Sequence, residues 1–403
     1  MRVRWLAAMM VALSVAWPAA ARAASDAFNG RIAFTSFRVD PPAGKQRSGD
    51  IFSMNPDGSG LRRLTTNPDL DRQPDWSVDG RAIAYTIRKP GSQINYEVAR
   101  MTAAGTGHRQ LTTSDAGQAS SQPSWLPGGR GLLFRRSGPG PVASIWQMGP
   151  LGENPQPRFA PPYPPLYPTW SAGQRRVLFT SIVSPTGDTD RGIFTLNVDG
   201  TGLTALFDVP GAYDSAPAWS PDRTRIAFES NADVAGGNPE HDMEVWTMNA
   251  DGSSPTQLTR NAAHDEGPAW SPDATLLAYT SGPDDDHGDI HVMTAAGRHL
   301  RRLTSYDGAD ESPDWQAIPA PPTDRRCGDA VAVREVDDVR ARGRGLTCKQ
   351  ALALAARWRT TGRPARVRRF RARVDDYGAT RRVVLTRGDG ERRRLVAFLV
   401  AQS

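Results

Sequence analysis

Short β-rich runs, each closed off by glycine, proline, aspartate or asparagine, recur along the whole central part of the chain. Ile83-Ala84-Tyr85-Thr86, Val177-Leu178-Phe179-Thr180 and Ile226-Ala227-Phe228 are of one kind. Asp50-Ile51-Phe52-Ser53-Met54, Ile193-Phe194-Thr195-Leu196, Glu244-Val245-Trp246-Thr247-Met248 and Asp289-Ile290-His291-Val292-Met293 are of a second. β-Branched and aromatic side chains between turn residues predict strands. Runs of the first kind follow a P-x-W triplet, met at Pro74-Asp75-Trp76, Pro123-Ser124-Trp125, Pro168-Thr169-Trp170, Pro217-Ala218-Trp219, Pro268-Ala269-Trp270 and Pro313-Asp314-Trp315. Runs of the second kind lead into turns such as Asp57-Gly58, Asp199-Gly200 and Asp251-Gly252, and the unit closes on Leu64-Thr65, Leu258-Thr259 or Leu303-Thr304.

The tryptophans are 49, 45, 49, 51 and 45 residues apart. A period of this length with four short antiparallel strands and Asp-Gly hairpins is that of a β-propeller blade. The first unit has its strand Arg31–Ser36 but no preceding P-x-W, and no strand follows the last P-x-W. Joined, the two ends make one blade. The expected fold is all-β, a six-bladed β-propeller over residues 28–318 whose last strand becomes the innermost strand of the first blade and leaves no free edge.

These motifs, with D-x-x-P-x-W-S-P-D-G followed by D-I-F-x-M-x-x-D-G and L-T, resemble those of TolB-type propellers. The first aspartate is present as Asp71, Asp214, Asp265 and Asp310; Ser120 and Pro165 replace it in the other units that carry the full triplet. The resemblance implies a propeller that binds a protein of the cell envelope. Peptidases with such a propeller add a hydrolase domain, whereas no G-x-S-x-G nucleophile elbow, glycine-rich phosphate loop or zinc-ligand spacing occurs in this sequence. A noncatalytic binding scaffold is therefore expected. The competing reading is a secreted polysaccharide lyase or hydrolase acting from the acidic loops of the propeller.

Residues that recur in every unit do the same work in every unit. Trp76, Trp125, Trp170, Trp219, Trp270 and Trp315 are expected to pack between blades. Asp71, Asp214, Asp265 and Asp310 are expected to accept main-chain N–H bonds in the inter-blade turns. Function should lie where the units differ. The loops between second and third strands vary (Phe37–Gly49, Ile87–Tyr96, Arg135–Ala143, Ile182–Gly192, Ser230–Asp242 and Gly282–Gly288) and share one face of the disc. Asp188, Asp190, Asp242, Asp284, Asp285, Asp286 and His287 are the candidate binding residues on it. Loops this rich in oxygen suit Ca²⁺, but none completes a calcium-loop pattern, and a solvated charge run is the alternative. No cofactor is otherwise called for.

Charge divides the chain. The formal total of +6 is the resultant of −9 over residues 24–323 and +12 over residues 324–403, with a basic leader ahead of both. Residues 1–23 combine a charged start, the apolar run Trp5–Trp17 and Ala21-Arg22-Ala23, the pattern of a removable signal peptide. Export follows, to the periplasm, the cell wall or the medium, and with it an envelope or secreted protein partner. A monomer is expected, and nucleic acid is not an expected partner.

Residues 319–324 read as a proline-rich linker, and residues 325–403 as a small basic α+β domain. Its two cysteines, Cys327 and Cys348, pair most simply as a disulfide, free thiols being the alternative. A capping box at Thr347–Gln350 opens a helix over Cys348–Arg359, and strands are expected over Arg366–Val374, Arg381–Thr386 and Arg392–Val400. Arg369, Arg371, Arg373, Arg392, Arg393 and Arg394 form its candidate basic patch, suited to an anionic polymer, an anionic lipid or the acidic propeller itself. Helix, cysteine pair and basic hairpin together loosely resemble small secreted domains of actinobacterial proteins.

Overall fold

Each P-x-W motif ends the first strand of a four-stranded antiparallel sheet, and the apolar run after it forms the second. The structure, a computed structural model, describes residues 28–318, apart from 39–48, 89–94, 116, 139–142, 172–174, 183–189, 235, 284–286 and 307, and four further strands between residues 338 and 400. The second strands are β1 (Phe28–Ser36), β5 (Ala82–Arg88), β9 (Leu132–Ser137), β13 (Arg176–Ile182), β17 (Arg225–Ser230) and β21 (Leu276–Gly282). Third come β2 (Asp50–Met54), β6 (Tyr96–Thr102), β10 (Ser144–Met148), β14 (Arg191–Asn197), β18 (Glu244–Asn249) and β22 (Asp289–Thr294). The outer strands are short: β3 (Arg62–Arg63), β7 (Arg109–Gln110), β11 (Gln156–Phe159), β15 (Thr204–Phe207), β19 (Thr256–Gln257) and β23 (Arg301–Arg302). The inner strands are β4 (Leu70–Trp76), β8 (Ala119–Trp125), β12 (Pro165–Ser171), β16 (Asp214–Trp219), β20 (His264–Trp270) and β24 (Asp310–Ile318).

Six sheets follow the chain order inner, second, third, outer, except that β24 pairs with β1 to give the sheet β24-β1-β2-β3. Each inner strand packs against the next, from β4 through β8, β12, β16 and β20 to β24, which packs back on β4. The ring is closed by a hydrogen-bonded strand, from Phe28 opposite Ile318 to Ser36 opposite Asp310. The expected propeller with its terminal-strand closure is the observed one.

Second and third strands are buried on both sides because each sheet is covered by two neighbours, which is why they read as nearly unbroken apolar runs. Ile83, Phe134, Phe179 and Phe228 are fully enclosed, each side chain contributing roughly 1.5–3 kcal/mol by burial. The core consists of six inter-blade layers. Trp76 sits among Ala33, Ile51 and Ile83, Trp125 among Ala82, Ala84 and Leu132, and Trp315 among Phe34, Ala278 and Ile290. Trp170 and Trp219 lie at the edge of their layers and stay half-buried.

The short turns are built alike. Between inner and second strands, Ser77, Ser220 and Ser271 donate to Asp79, Asp222 and Asp273 at 2.6–2.7 Å. Gly80 in this turn has φ +66°, and a Cβ there would stand 2.0 Å from the Ala317 carbonyl oxygen, so only glycine fits.

Beyond the propeller, β25 (Asp338–Ala341), β26 (Phe370–Tyr377), β27 (Thr380–Arg387) and β28 (Arg394–Val400) form an antiparallel sheet in the order β25-β28-β27-β26. β25 was not expected from the sequence. Arg371 and Arg373 fall on β26 and Arg394 on β28, while Arg369, Arg392, Arg393, Cys327, Cys348, the Cys348–Arg359 helix and residues 1–27 lie outside the described residues. Among the described residues no helix is long and apolar enough to cross a membrane.

Candidate functional site

The inner strands are not regular. In each, the residue before the motif proline adopts a left-handed conformation: Gln73, Gln122, Tyr167, Ala216, Gly267 and Ser312 have φ between 46° and 58°. The strand pairing slips at the same point, as between Arg72 and Asp75 or Glu266 and Ala269. This bulge turns an amide out of its own sheet and toward the preceding blade. Gln73 and Gln122 donate to the Thr35 and Thr86 hydroxyls at 3.0 Å, Ser312 to Thr280 at 3.2 Å and Gly267 to Glu229 Oε2 at 2.7 Å. The prolines that follow have no N–H to satisfy and face the axis. They line a cavity of about 270 Å³ between Gln73–Asp75, Gln122–Ser124, Tyr167–Thr169, Ala216–Trp219, Gly267–Trp270 and Ser312–Asp314.

One step toward the variable face, the repeats diverge. The paired inner and second-strand residues of this layer are Glu311 and Thr35, Arg72 and Thr86, Ser121 and Arg135, Leu166 and Thr180, Ser215 and Glu229, Glu266 and Thr280. Threonine is the common second-strand residue, and Arg135 and Glu229 replace it in blades three and five. Arg72 pairs with Glu311 at 3.4 Å across the seam between blades two and one. The Arg135 Nε donates to the Pro165 carbonyl at 3.1 Å, and burial pulls its guanidinium below its ordinary pKa. The Arg191 guanidinium lies 3.9 Å from the Tyr213 ring centroid, a close cation–π stack. Tyr167 and Tyr213 titrate above the usual tyrosine range, through burial first, with Glu229 charge acting on both. The mouth of the channel thus gathers arginine, glutamate and tyrosine from several blades, half-buried except for the enclosed Glu229 and balanced in sign.

Deeper in the channel, Asp75 and Asp314 occupy the x of P-x-W in adjacent blades. Asp314 accepts the Trp76 N–H at 2.5 Å and Asp75 accepts the Trp125 N–H at 3.0 Å. Both carboxyls are pushed up, by burial first, and Asp75 also by the charge of Asp314. Between them they cross-link three consecutive blades.

Asp71, Asp214, Asp265 and Asp310 are fully enclosed where the inner strands begin. Apart from one main-chain amide on Asp214, their donors are side chains rather than the expected main-chain amides. Asn67 and Asn261 donate side-chain N–H groups to Asp71 and Asp265 at 2.8 and 2.7 Å. Asp214 takes the Ser230 hydroxyl, with Val209 N–H at 3.4 Å, and Asp310 pairs with Arg38. The i−4 asparagine was available in the sequence, but only its position four residues ahead of the aspartate could have revealed it.

Of the loop candidates, Asp190 accepts the Gly211 N–H at 3.0 Å and supports the turn into blade five. Asp242 is buried, with neither carboxylate oxygen bonded. His287 is exposed at the start of the blade-six third strand. Asp188, Asp284, Asp285 and Asp286 lie outside the described residues. Among the described residues no three His, Cys, Asp or Glu side chains are placed to hold a metal ion. In the sequence the charged layer at the channel mouth is marked only by Arg135 and Glu229, which stand where the other second strands carry threonine.

The family described as PD40, TolB beta propeller domain, matches residues 148–317. TolB from Acinetobacter baumannii superposes with a TM-score of 0.57 at 20% identity, covering 71% of this chain and 66% of that one. The fold is a TolB-like six-bladed β-propeller. The putative TolB from Agrobacterium tumefaciens gives a TM-score of 0.52 at 18% identity, over 73% of this chain and 99% of that one. Among curated relatives, the uncharacterized protein Atu1656 of Agrobacterium fabrum is 26% identical over 292 residues, 68% of this chain and 90% of its own. The Tol-Pal system protein TolB of Alcanivorax borkumensis is 30% identical over 78 residues, and the uncharacterized peptidase YuxL of Bacillus subtilis 25% over 113. Those two matches span only 18% and 16% of the respective relatives.

Proposed function

We propose that this chain is an exported, noncatalytic scaffold of the cell envelope whose TolB-like propeller binds a protein partner at the channel mouth on its variable face. The observation that carries this reading is the layer of Arg72, Arg135, Arg191, Tyr167, Tyr213, Glu229, Glu266 and Glu311. Tyrosine and arginine in a half-buried, charge-balanced concavity are the composition of a protein-binding hot spot. The layer departs from the repeat where every structural need is met by threonine. A relative from the Tol-Pal system and a leader-like N-terminal sequence support the envelope setting. The basic C-terminal module would add contact with anionic polymer or lipid.

The test is capture from envelope extract by the mature chain, wild type against Arg191→Ala combined with Tyr213→Ala. One discrete protein retained by the wild type and lost by roughly tenfold or more in the variant is the expected result. Turnover of an envelope glycan by the wild type, abolished in the same variant, would replace this reading with the lyase or hydrolase one.

A further inference from the structure

Four blades carry a buried acid at one register at or next to the start of the third strand: Asp50, Glu97, Glu244 and Asp289. The threonine of the L-T motif faces it. Thr65 donates to Asp50 at 3.2 Å and Thr304 to Asp289 at 3.1 Å. In blades one and six an arginine two residues before that threonine neutralises the acid, Arg63 on Asp50 at 2.8 Å and Arg302 on Asp289 at 2.5 Å. In blade two, Glu97 takes hydrogen bonds from Thr112 and from the Ser114 amide and hydroxyl.

Blade five breaks the pattern. Gln257 stands where the arginine stands, and its Nε2 finds no acceptor. Glu244 accepts the Asn261 N–H at 2.9 Å on Oε1, leaving Oε2 unmatched. Asp242, two residues earlier and near enough for its charge to act on Glu244, is 7% exposed and has no donor on either oxygen. Asn238, 2% exposed, gives its Nδ2 to the Asp242 carbonyl at 2.7 Å, and its Oδ1 is unmatched. Among the described residues no cationic side chain forms an ion pair with Asp242 or Glu244.

Enclosed carboxylate oxygens without donors are costly unless a cation meets them. The unmatched acceptors on Asp242, Glu244 and Asn238 are all oxygen, so the shell would be carboxylate and amide oxygen completed by water. That is the coordination of Ca²⁺ rather than Zn²⁺. We propose that Asp242, Glu244 and Asn238 form a Ca²⁺ site at the blade-five edge of the variable face, tying the Asn238–Asp242 segment to β18. The site is independent of what the channel mouth binds.

Calorimetric titration of the EDTA-treated full chain with Ca²⁺ tests it. The expected result is one saturable site with a Kd of about 10⁻⁴–10⁻³ M, as in extracellular modules. At a tenfold excess over Kd the melting temperature should rise by roughly 3 °C. Asp242→Asn keeps the volume and removes the charge. It should weaken Ca²⁺ binding by about tenfold or more and, in EDTA, melt at or above the wild type. Asn238→Ala should weaken binding without touching either charge, and exposed Glu240→Gln should leave the isotherm unchanged. No saturable binding by the wild type, or binding that Asp242→Asn leaves intact, overturns the proposal.

Discussion

Replacing Asp71 by asparagine should make the propeller markedly less sensitive to pH. Asp71 is fully enclosed, receives the Asn67 amide on Oδ2 and lacks a hydrogen bond on Oδ1. Burial raises its pKa to about 7, against which the bonds from Thr65 and Asn67 act only in part. In the unfolded chain the same carboxyl titrates near 3.9. Between those values the folded protein keeps a proton that the unfolded chain has released, so stability falls as pH rises through the window. Three pH units at about 1.36 kcal/mol each amount to something on the order of 4 kcal/mol lost by pH 8. Asparagine keeps the volume and an acceptor for Asn67 but cannot ionise. At pH 4.5 the two proteins should lie within about 1 kcal/mol; at pH 8 the variant should be more stable by several. Urea unfolding at pH 4.5, 6 and 8 reads the difference directly. A difference that stays constant across this range would refute the reasoning, because Asp71 would then be ionised throughout or accessible to water.

The packing and closure make further predictions. Trp76→Ala should cost about 3–5 kcal/mol in urea unfolding, and Trp170→Ala, from a half-buried position, distinctly less. Arg63→Ala strands the enclosed Asp50 carboxylate and should cost about 1–3 kcal/mol, with Arg63 itself a third exposed; adding Asp50→Asn should recover most of the loss. Gly80→Ala should destabilise strongly, whereas Gln73→Gly, at φ 55°, should be neutral or gain up to about 1 kcal/mol, as Gly267 fills the same bulge in the sixth blade. Deleting residues 324–403 should abolish salt-sensitive retention on a polyanion column; retention unchanged by the deletion would make that charge merely solubilising.

What the sequence could and could not reveal divides along physical lines. Blade number and closure were legible because Pro, Trp and the Asp-Gly turns are demanded by local geometry, and geometry repeats. The missing first motif and the missing last strand fix β24 beside β1 without any knowledge of contacts. The bulge was not legible: Gln73, Tyr167, Ala216 and Ser312 share no side-chain property, and the left-handed conformation is imposed by the ring. The Asp75 and Asp314 pair hid inside the repeat itself, at a position taken as filler. At the channel mouth, Arg135 and Glu229 looked like ordinary strand polarity until the pairing set them at one level with Arg72 and Glu311. The loop acids were conspicuous for the opposite reason. Charge density is visible in a sequence, but only the fold tells an exposed aspartate from Asp242, enclosed and unmatched.

The central claim, that the channel mouth and not the opposite face meets a protein partner, is tested most directly by site-specific photocrosslinking. A photoreactive residue is placed at Tyr213 in one chain and at exposed Asp251, on the short-turn face, in another. After irradiation in envelope extract, the account predicts a single discrete protein adduct from position 213 and none from position 251. Equal adducts from both positions, or an adduct from 251 alone, would contradict it.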